Sequence, residues 1–227
     1  MRWRKTGGSY ASVIEKNMEI SYCGIKEMPG EGAEMKNLNK YMDFIKAAEG
    51  LKSVTRTAWT STGRRESTAE HSWRLVLLAS VLLEEFPELD KQRVLLMALV
   101  HDMGEVYTGD ISANSEFSSS EKERAERHDI REVFGKLPEK QGDFYISLWE
   151  EYSKGETPEA RFVKALDKGE TILQHVQGKN PETFDYEFNL SYGKRYFEGD
   201  KRLEKFREFL DTETKEKMKR GKNLDGK

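Results

Sequence analysis

The chain has 227 residues, with 36% hydrophobic and 35% charged side chains and a formal net charge of −3. Acidic residues outnumber basic ones by 41 to 38. No Lys/Arg block interleaved with aromatics occurs, which argues against a face for nucleic-acid polymers. The single cysteine, Cys23, excludes an intrachain disulfide and a cysteine-based metal site and fits a reducing, cytoplasmic setting. No apolar stretch reaches membrane-spanning length.

One domain with a short extension at each end is the economical reading, and a chain of this length can bury a sizeable core. Residues 1–34 show no sustained period and are read as a flexible or non-native N-terminal extension. "MRWRKTGGSY" is basic like a secretory leader but no apolar stretch follows it. Met35 opens "MKNLNKYMDFIKAAEGLK", where Leu38, Tyr41, Phe44 and Ile45 recur at helical spacing, so the domain is placed at residues 35–211. The polar connection "TSTGRREST" leads to "AEHSWRLVLLASVLLEEF", in which Leu75, Leu78 and Leu82 share a stripe with His71. Asp90 is the N-cap candidate for "KQRVLLMALVHDMG", which is apolar on all sides and reads as a central helix.

The segment 106–119 is long and irregular, hence functional or mobile. Ser120 with Glu123 makes a capping box for "EKERAERHDIREVFGKL". "DFYISLWEEYSKG" is amphipathic, and Thr157-Pro158 starts "PEARFVKALDKGETILQHVQ", with Phe162, Leu166 and Leu173 as its stripe and Asp167 at the edge. "YEFNLSYGKRYF" is ambiguous, "DKRLEKFREFL" reads as a last helix, and residues 212–227 are expected to form a disordered charged tail. No stretch demands a sheet, so the expected fold is all-α, a helical bundle.

The run "LLMALVHDMGEVYTGDI" begins apolar and ends in His101, Asp102, Glu105 and Asp110. A carboxylate taken into an apolar interior is costly unless something pairs with it. His71, His101, Asp102 and Asp167 all lie on or beside inner helix faces. Two neutral imidazoles and two carboxylates would neutralise one divalent cation and leave coordination positions for water and substrate. That donor set suits Mn, Co, Fe, Ni or Zn and makes a Mg-only site less fitting.

In this order, and with the blocks "AEHSW", "VHDMGEVYTGDI" and "KALDKGETILQ", these residues resemble the HD-domain metal-dependent phosphohydrolases over roughly residues 36–210. The wording of the blocks is similar to that of the HD-domain 5′-deoxynucleotidases. The resemblance implies a helical bundle around one divalent metal held by His71, His101, Asp102 and Asp167, often in a homodimer. It implies a small-molecule nucleotide substrate, a deoxyribonucleoside 5′-monophosphate that loses its phosphate. It also carries catalytic roles to Glu105 and Asp110 and substrate contacts to Arg56 and Trp59 of "RTAW".

Glu105, one helical turn beyond His101, is placed to orient or deprotonate the attacking water. Asp110, on a Gly-preceded turn, is placed to protonate the leaving oxygen or steer the water, and which carboxylate does which stays open. Arg56 would clamp the phosphate and Trp59 would wall the sugar and base. The second His-Asp pair, His128-Asp129, is read as a solvated face, and His175 as a satisfied structural histidine. The alternatives are an HD hydrolase of deoxynucleoside triphosphates, alarmones or cyclic dinucleotides, and a non-catalytic nucleotide-sensing helical protein. Met103-Gly104-Glu105-Val106 lacks the Glu-Asp pair of alarmone hydrolases, and only His128 and His175 remain to serve a second metal.

Overall fold

The structure, a computed structural model, describes residues 35–109 and 119–224. Among them run α1 (Leu38–Ala48), β1 (Thr55–Trp59), β2 (Arg65–Ser67), α2 (Thr68–Leu82), α3 (Lys91–Val100), α4 (Ser119–Phe134), α5 (Glu139–Lys154), α6 (Pro158–Gln177), α7 (Glu187–Ser191) and α8 (Lys201–Leu224). The molecule is the helical bundle that the periodicity predicts.

Helix starts are set by local chemistry. Ser67 accepts from the Glu70 amide while the Glu70 carboxylate accepts from the Ser67 amide, a capping box that starts α2. Asp90 accepts from the Arg93 amide at 3.0 Å to start α3. Thr157 accepts from the Ala160 amide at 3.2 Å, with Pro158 in the first turn of α6. The capping box expected at Ser120 and Glu123 involves side chains outside the described set.

Two apolar clusters share α3. Leu75, Ala79, Met97, Phe162, Leu166 and Leu210 join α2, α3, α6 and α8, while Val100, Met103, Ile130, Phe134, Leu148 and Trp149 join the end of α3 to α4 and α5. Each fully buried Leu or Phe contributes about 1.5–3 kcal/mol. His101, the residue that ends α3, falls where the clusters meet. The most enclosed element is α6, which buries charged as well as apolar residues, rather than α3, whose Leu99 is exposed. Polar burial on α6 hid this centrality from an apolar count.

Three expectations need correction. The connection before α2 contains an antiparallel hairpin, β1 with β2, pairing Thr55 with Ser67 and Trp59 with Arg65. The β-branched and aromatic residues of "TRTAW" favour it, and Thr60 to Gly63 make the turn. The last helix continues to Leu224, through most of the segment expected to be a tail, because Thr214 is fully buried and the Arg207–Asp211 and Glu216–Arg220 pairs lie one turn apart. In the second His-Asp pair only His128 is solvated. Asp129 is buried and accepts from the Thr108 amide and hydroxyl, both at 2.8 Å, and from the Tyr107 amide at 3.3 Å.

Asp129 thereby ties the segment just beyond Glu105 to α4. Asp129→Ala is expected to lower unfolding free energy by about 2–3 kcal/mol in urea titrations and to speed hydrogen exchange at the Tyr107 and Thr108 amides.

Candidate metal and active site

α2 supplies His71, the end of α3 supplies His101 and Asp102, and α6 supplies Asp167. Side-chain donors of His71, His101 and Asp102 lie within 4.8 Å of one another. The His71 Nε2 is 3.3 Å from an Asp167 oxygen and 3.9 Å from Asp102 Oδ2, and the His101 Nε2 is 3.1 Å from Asp102 Oδ2. The four residues expected to hold a metal are thus side by side, with both imidazoles fully buried.

The Nδ1 atoms fix which nitrogen faces inward. His101 Nδ1 lies 2.9 Å from the Ala98 carbonyl, and His71 Nδ1 makes a short hydrogen bond with the Glu170 carboxylate. Each imidazole then turns its Nε2 toward the carboxylates. Both Nε2 atoms are buried without a hydrogen bond of proper geometry, although each has a carboxylate oxygen near it. Orphaned buried nitrogens beside two carboxylates fit a divalent cation, which would take one lone pair from each.

The surrounding charges are arranged to the same end. Burial alone would raise the Asp102 carboxyl, but His101, His71 and Arg56 hold it well below the usual carboxylate range. Asp167 is likewise held low against its burial by Lys168, 2.9 Å away, with His71 and His101. Burial and Arg56 act against charge on His71, yet Glu170 and Asp167 prevail and raise it from 6.5 to about 9. Glu66 is pushed up to about 7 by burial and by Glu170. Glu66, His71 and Glu170 form a second close group, but Arg56 and Arg74 already lie against its carboxylates at 3.5 and 3.4 Å. It reads as a supporting layer behind His71.

The four-residue cluster opens onto a cavity of about 970 Å³. Glu105 lines it, buried on the 3-10 turn Met103–Glu105 and accepting from the Thr68 hydroxyl at 3.2 Å. This turn replaces the continuing α-helix that the spacing from His101 suggests. Asp110 lies outside the described residues. Arg56 and Trp59, on β1, both reach the cavity wall. Arg56 is engaged with Asp102 at 3.4 Å, Glu66 at 3.5 Å and Thr171 at 2.9 Å, so its guanidinium is not the open clamp pictured from sequence. Trp59 meets Phe184 edge to face at 6.0 Å.

His175 is buried and hydrogen-bonded to Asn189 at 2.8 Å, as a structural histidine should be, although it also reaches the cavity. Sequence reasoning passed over Glu170, Lys164, Lys168, Tyr152 and Phe184. Glu170 had a usable signal, since it follows Asp167 by one helical turn. Tyr152 had none, and its hydroxyl donates to Asp167 at 2.7 Å across the α5–α6 contact.

An HD-domain family model matches residues 48–207. The chain belongs to the HD-domain family of metal-dependent phosphohydrolases. It is 32% identical over 162 residues to the 5′-deoxynucleotidase HDDC2 of Dictyostelium discoideum, an alignment covering 67% of this chain and 85% of that protein. It is 35% identical to the protein of that name from Xenopus laevis, over 67% of this chain and 78% of the relative. A crystal structure described as a predicted metal-dependent phosphohydrolase, from Magnetospirillum magnetotacticum, superposes with a TM-score of 0.69 at 31% identity, covering 80% of this chain and 94% of its own.

A charged His71 stabilises the chelator-stripped fold fully below pH 6.5, and this contribution is lost as pH rises through about 9. The same proton competes with a cation for the imidazole. Divalent-metal affinity is therefore expected to fall about tenfold per pH unit below 9, with proton release at pH 7, in calorimetric titrations run in buffers of different ionisation heat. Glu170→Gln is expected to weaken Mn binding about 10- to 100-fold in a chelator competition assay.

Proposed function

We propose that this phosphohydrolase is a 5′-deoxynucleotidase that uses His71, His101, Asp102 and Asp167 as metal ligands and takes a deoxyribonucleoside 5′-monophosphate in the adjoining cavity. The observation that carries the reading is the pair of buried Nε2 atoms that make no hydrogen bond of proper geometry and converge on two carboxylates at a cavity walled by Trp59 and Phe184. The relatives named as 5′-deoxynucleotidases support it over two thirds of the chain.

A divalent cation held by these four residues would supply Lewis acidity for phosphoryl transfer to water. Glu105, a carboxylate in the same wall, orients that water and accepts its proton. Asp110, following Gly109 with its φ of +83°, is the candidate donor to the leaving 5′-oxygen. Arg56 braces Asp102 and Thr171 and sets positive charge beside the phosphate. Trp59 and Phe184 provide an apolar wall for sugar and base. The two imidazoles and two carboxylates favour Mn, Co, Fe, Ni or Zn over Mg.

We extend the reading to a cytoplasmic homodimer. The lone cysteine supports a reducing compartment, and no described helix is long and apolar enough to cross a membrane. Trp73, Leu77 and Val81 form an exposed apolar stripe along α2, at helical spacing, that a second copy can cover. Light scattering should give a dimer mass, and Leu77→Glu should shift it toward the monomer with phosphate release still detectable.

The test of function is phosphate release from ribo- and deoxyribonucleoside mono-, di- and triphosphates by stripped protein reloaded with Mn, Co, Zn, Ni or Mg. Metal-dependent release confined to deoxyribonucleoside monophosphates is expected, with Glu105→Gln lowering kcat by about 10²–10⁴ and Asp102→Ala abolishing it. Pyrophosphate or triphosphate as product, or tight nucleotide binding without turnover by any metal form, would overturn the reading.

A further inference from the structure

Five lysine and arginine side chains line the cavity, Arg56, Arg127, Lys154, Lys164 and Lys168, and three of them are committed to protein carboxylates. Arg56 holds Asp102 and Glu66, Lys168 holds Asp167, and Arg127 holds Glu150 at 2.6 Å. Lys154 is exposed, whereas the charged end of Lys164 lies over aromatic faces, that of Tyr152 at 4.2 Å and that of Tyr196 at 5.7 Å. Its amine is largely withdrawn from water, and burial holds its pKa below the ordinary lysine value. The ring beneath it is the one whose hydroxyl donates to Asp167 and whose edge meets His101, so Lys164 stands one tyrosine away from the candidate metal ligands.

The position of the amine is built. Lys164 and Lys168 lie one turn apart on α6, and each stem runs against a glycine with left-handed backbone. A Cβ on Gly155 (φ +65°) would lie 2.8 Å from Lys164 Cε, and one on Gly193 (φ +62°) would lie 2.5 Å from Lys168 Cγ. The notch at Gly193 requires glycine, because the Lys168 atoms it meets lie next to the backbone, whereas Gly155 meets only the far end of the Lys164 stem. Lys168 is held by this notch and by Asp167, and Lys164 by its contact with the Tyr152 ring. A partly buried ammonium with no ion pair among the described residues and only the more distant field of Asp167 to balance it favours an anion beside it.

We propose that Lys164 is the anchoring cation for the non-bridging oxygens of the substrate phosphate, while Lys168 positions Asp167. The inference rests on the cavity receiving a phosphate ester, as in the reading above, and gives to Lys164 the direct phosphate contact that the sequence assigns to Arg56. An ammonium over the Tyr152 ring can swing its protons toward a phosphate without giving up that ring contact, because a point cation on a flexible stem has rotatable donors. The substrate thus completes a charge balance that the protein leaves open on this side.

The test compares wild type with Lys164→Met, which keeps the stem length and removes the charge, and Lys164→Arg. The readouts are calorimetric titration of inorganic phosphate into the Mn-loaded full chain, Mn affinity by chelator competition, and kcat and KM for the best nucleoside monophosphate. Lys164→Met is expected to weaken phosphate binding about 10- to 100-fold, to place most of the kinetic loss in KM, and to leave Mn affinity unchanged. Lys164→Arg is expected to recover most of the phosphate affinity. Unaltered phosphate binding in a folded Lys164→Met protein would overturn the proposal and leave Lys164 as a cation–π strut. A fall in Mn affinity matching the fall in phosphate affinity would overturn it too, since Lys164 would then act through Asp167. If wild type bound phosphate in a Lys164-dependent way yet hydrolysed no nucleoside monophosphate, the nucleotidase reading would fail and this one would stand.

Discussion

Asp102 and Asp167 leave water beside two imidazoles that are themselves fully buried, and Glu66 and Glu170 are taken inside with them. Four acidic groups in one small volume repel each other and lose hydration, a situation that no amount of apolar packing repairs. Arg56, Arg74, Lys168 and a charged His71 answer part of the demand. Glu66 is pushed up to about 7, by burial first and by Glu170 second. A divalent cation at the Nε2 atoms, as proposed above, would add positive charge to the same cluster. Helix placement follows from the same demand, since α2, the end of α3 and α6 must each bring one part of the cluster to a common point.

This explains which parts of the site were legible in the sequence. A histidine on the apolar stripe of α2, a His-Asp pair at the end of an apolar run, and an aspartate on the edge of another stripe are anomalies that periodicity exposes. Glu170 could be placed on the side of Asp167 by its one-turn spacing, but its partner His71, 99 residues away, could not be read from "DKGET". Tyr152 and Asp129 were hidden for the same reason, as each is defined by a hydrogen bond to a different element. The β1–β2 hairpin was obscured by the polar residues of its turn, and α8 outran its expected end because a buried Thr214 leaves no hydrophobic signal. Local pattern reveals buried charge on apolar faces; it does not reveal who neutralises it.

Arg56 illustrates the difference between a correct location and a correct role. The residue reaches the cavity wall, as the motif implies, but its guanidinium is already shared among Asp102, Glu66 and Thr171. An arginine with three protein partners is a brace, and moving it to a ligand would expose the charges it holds. Its field still favours an anion nearby, so a phosphate gains from Arg56 without requiring its release.

Helix α6 carries the argument one step further. At 100° per residue, Lys164, Lys168, Thr171 and His175 fall within a narrow arc that faces the cavity. Glu170 and Gln174 lie on the neighbouring arc, where Glu170 meets His71 and Gln174 meets Arg74 and the Trp59 carbonyl. Asp167 lies between the two arcs and belongs to both, touching His71 on one side and Lys168 and Tyr152 on the other. One helix thus holds the candidate ligand Asp167, the carboxylate that hydrogen-bonds the opposing imidazole and two lysines that line the cavity. A rotation of α6 that improved one set would displace the others. The close packing of α6 against α2, α3 and α8 removes that freedom, so the spacing between Asp167 and the lysines beside it is set by the helix itself rather than by loops.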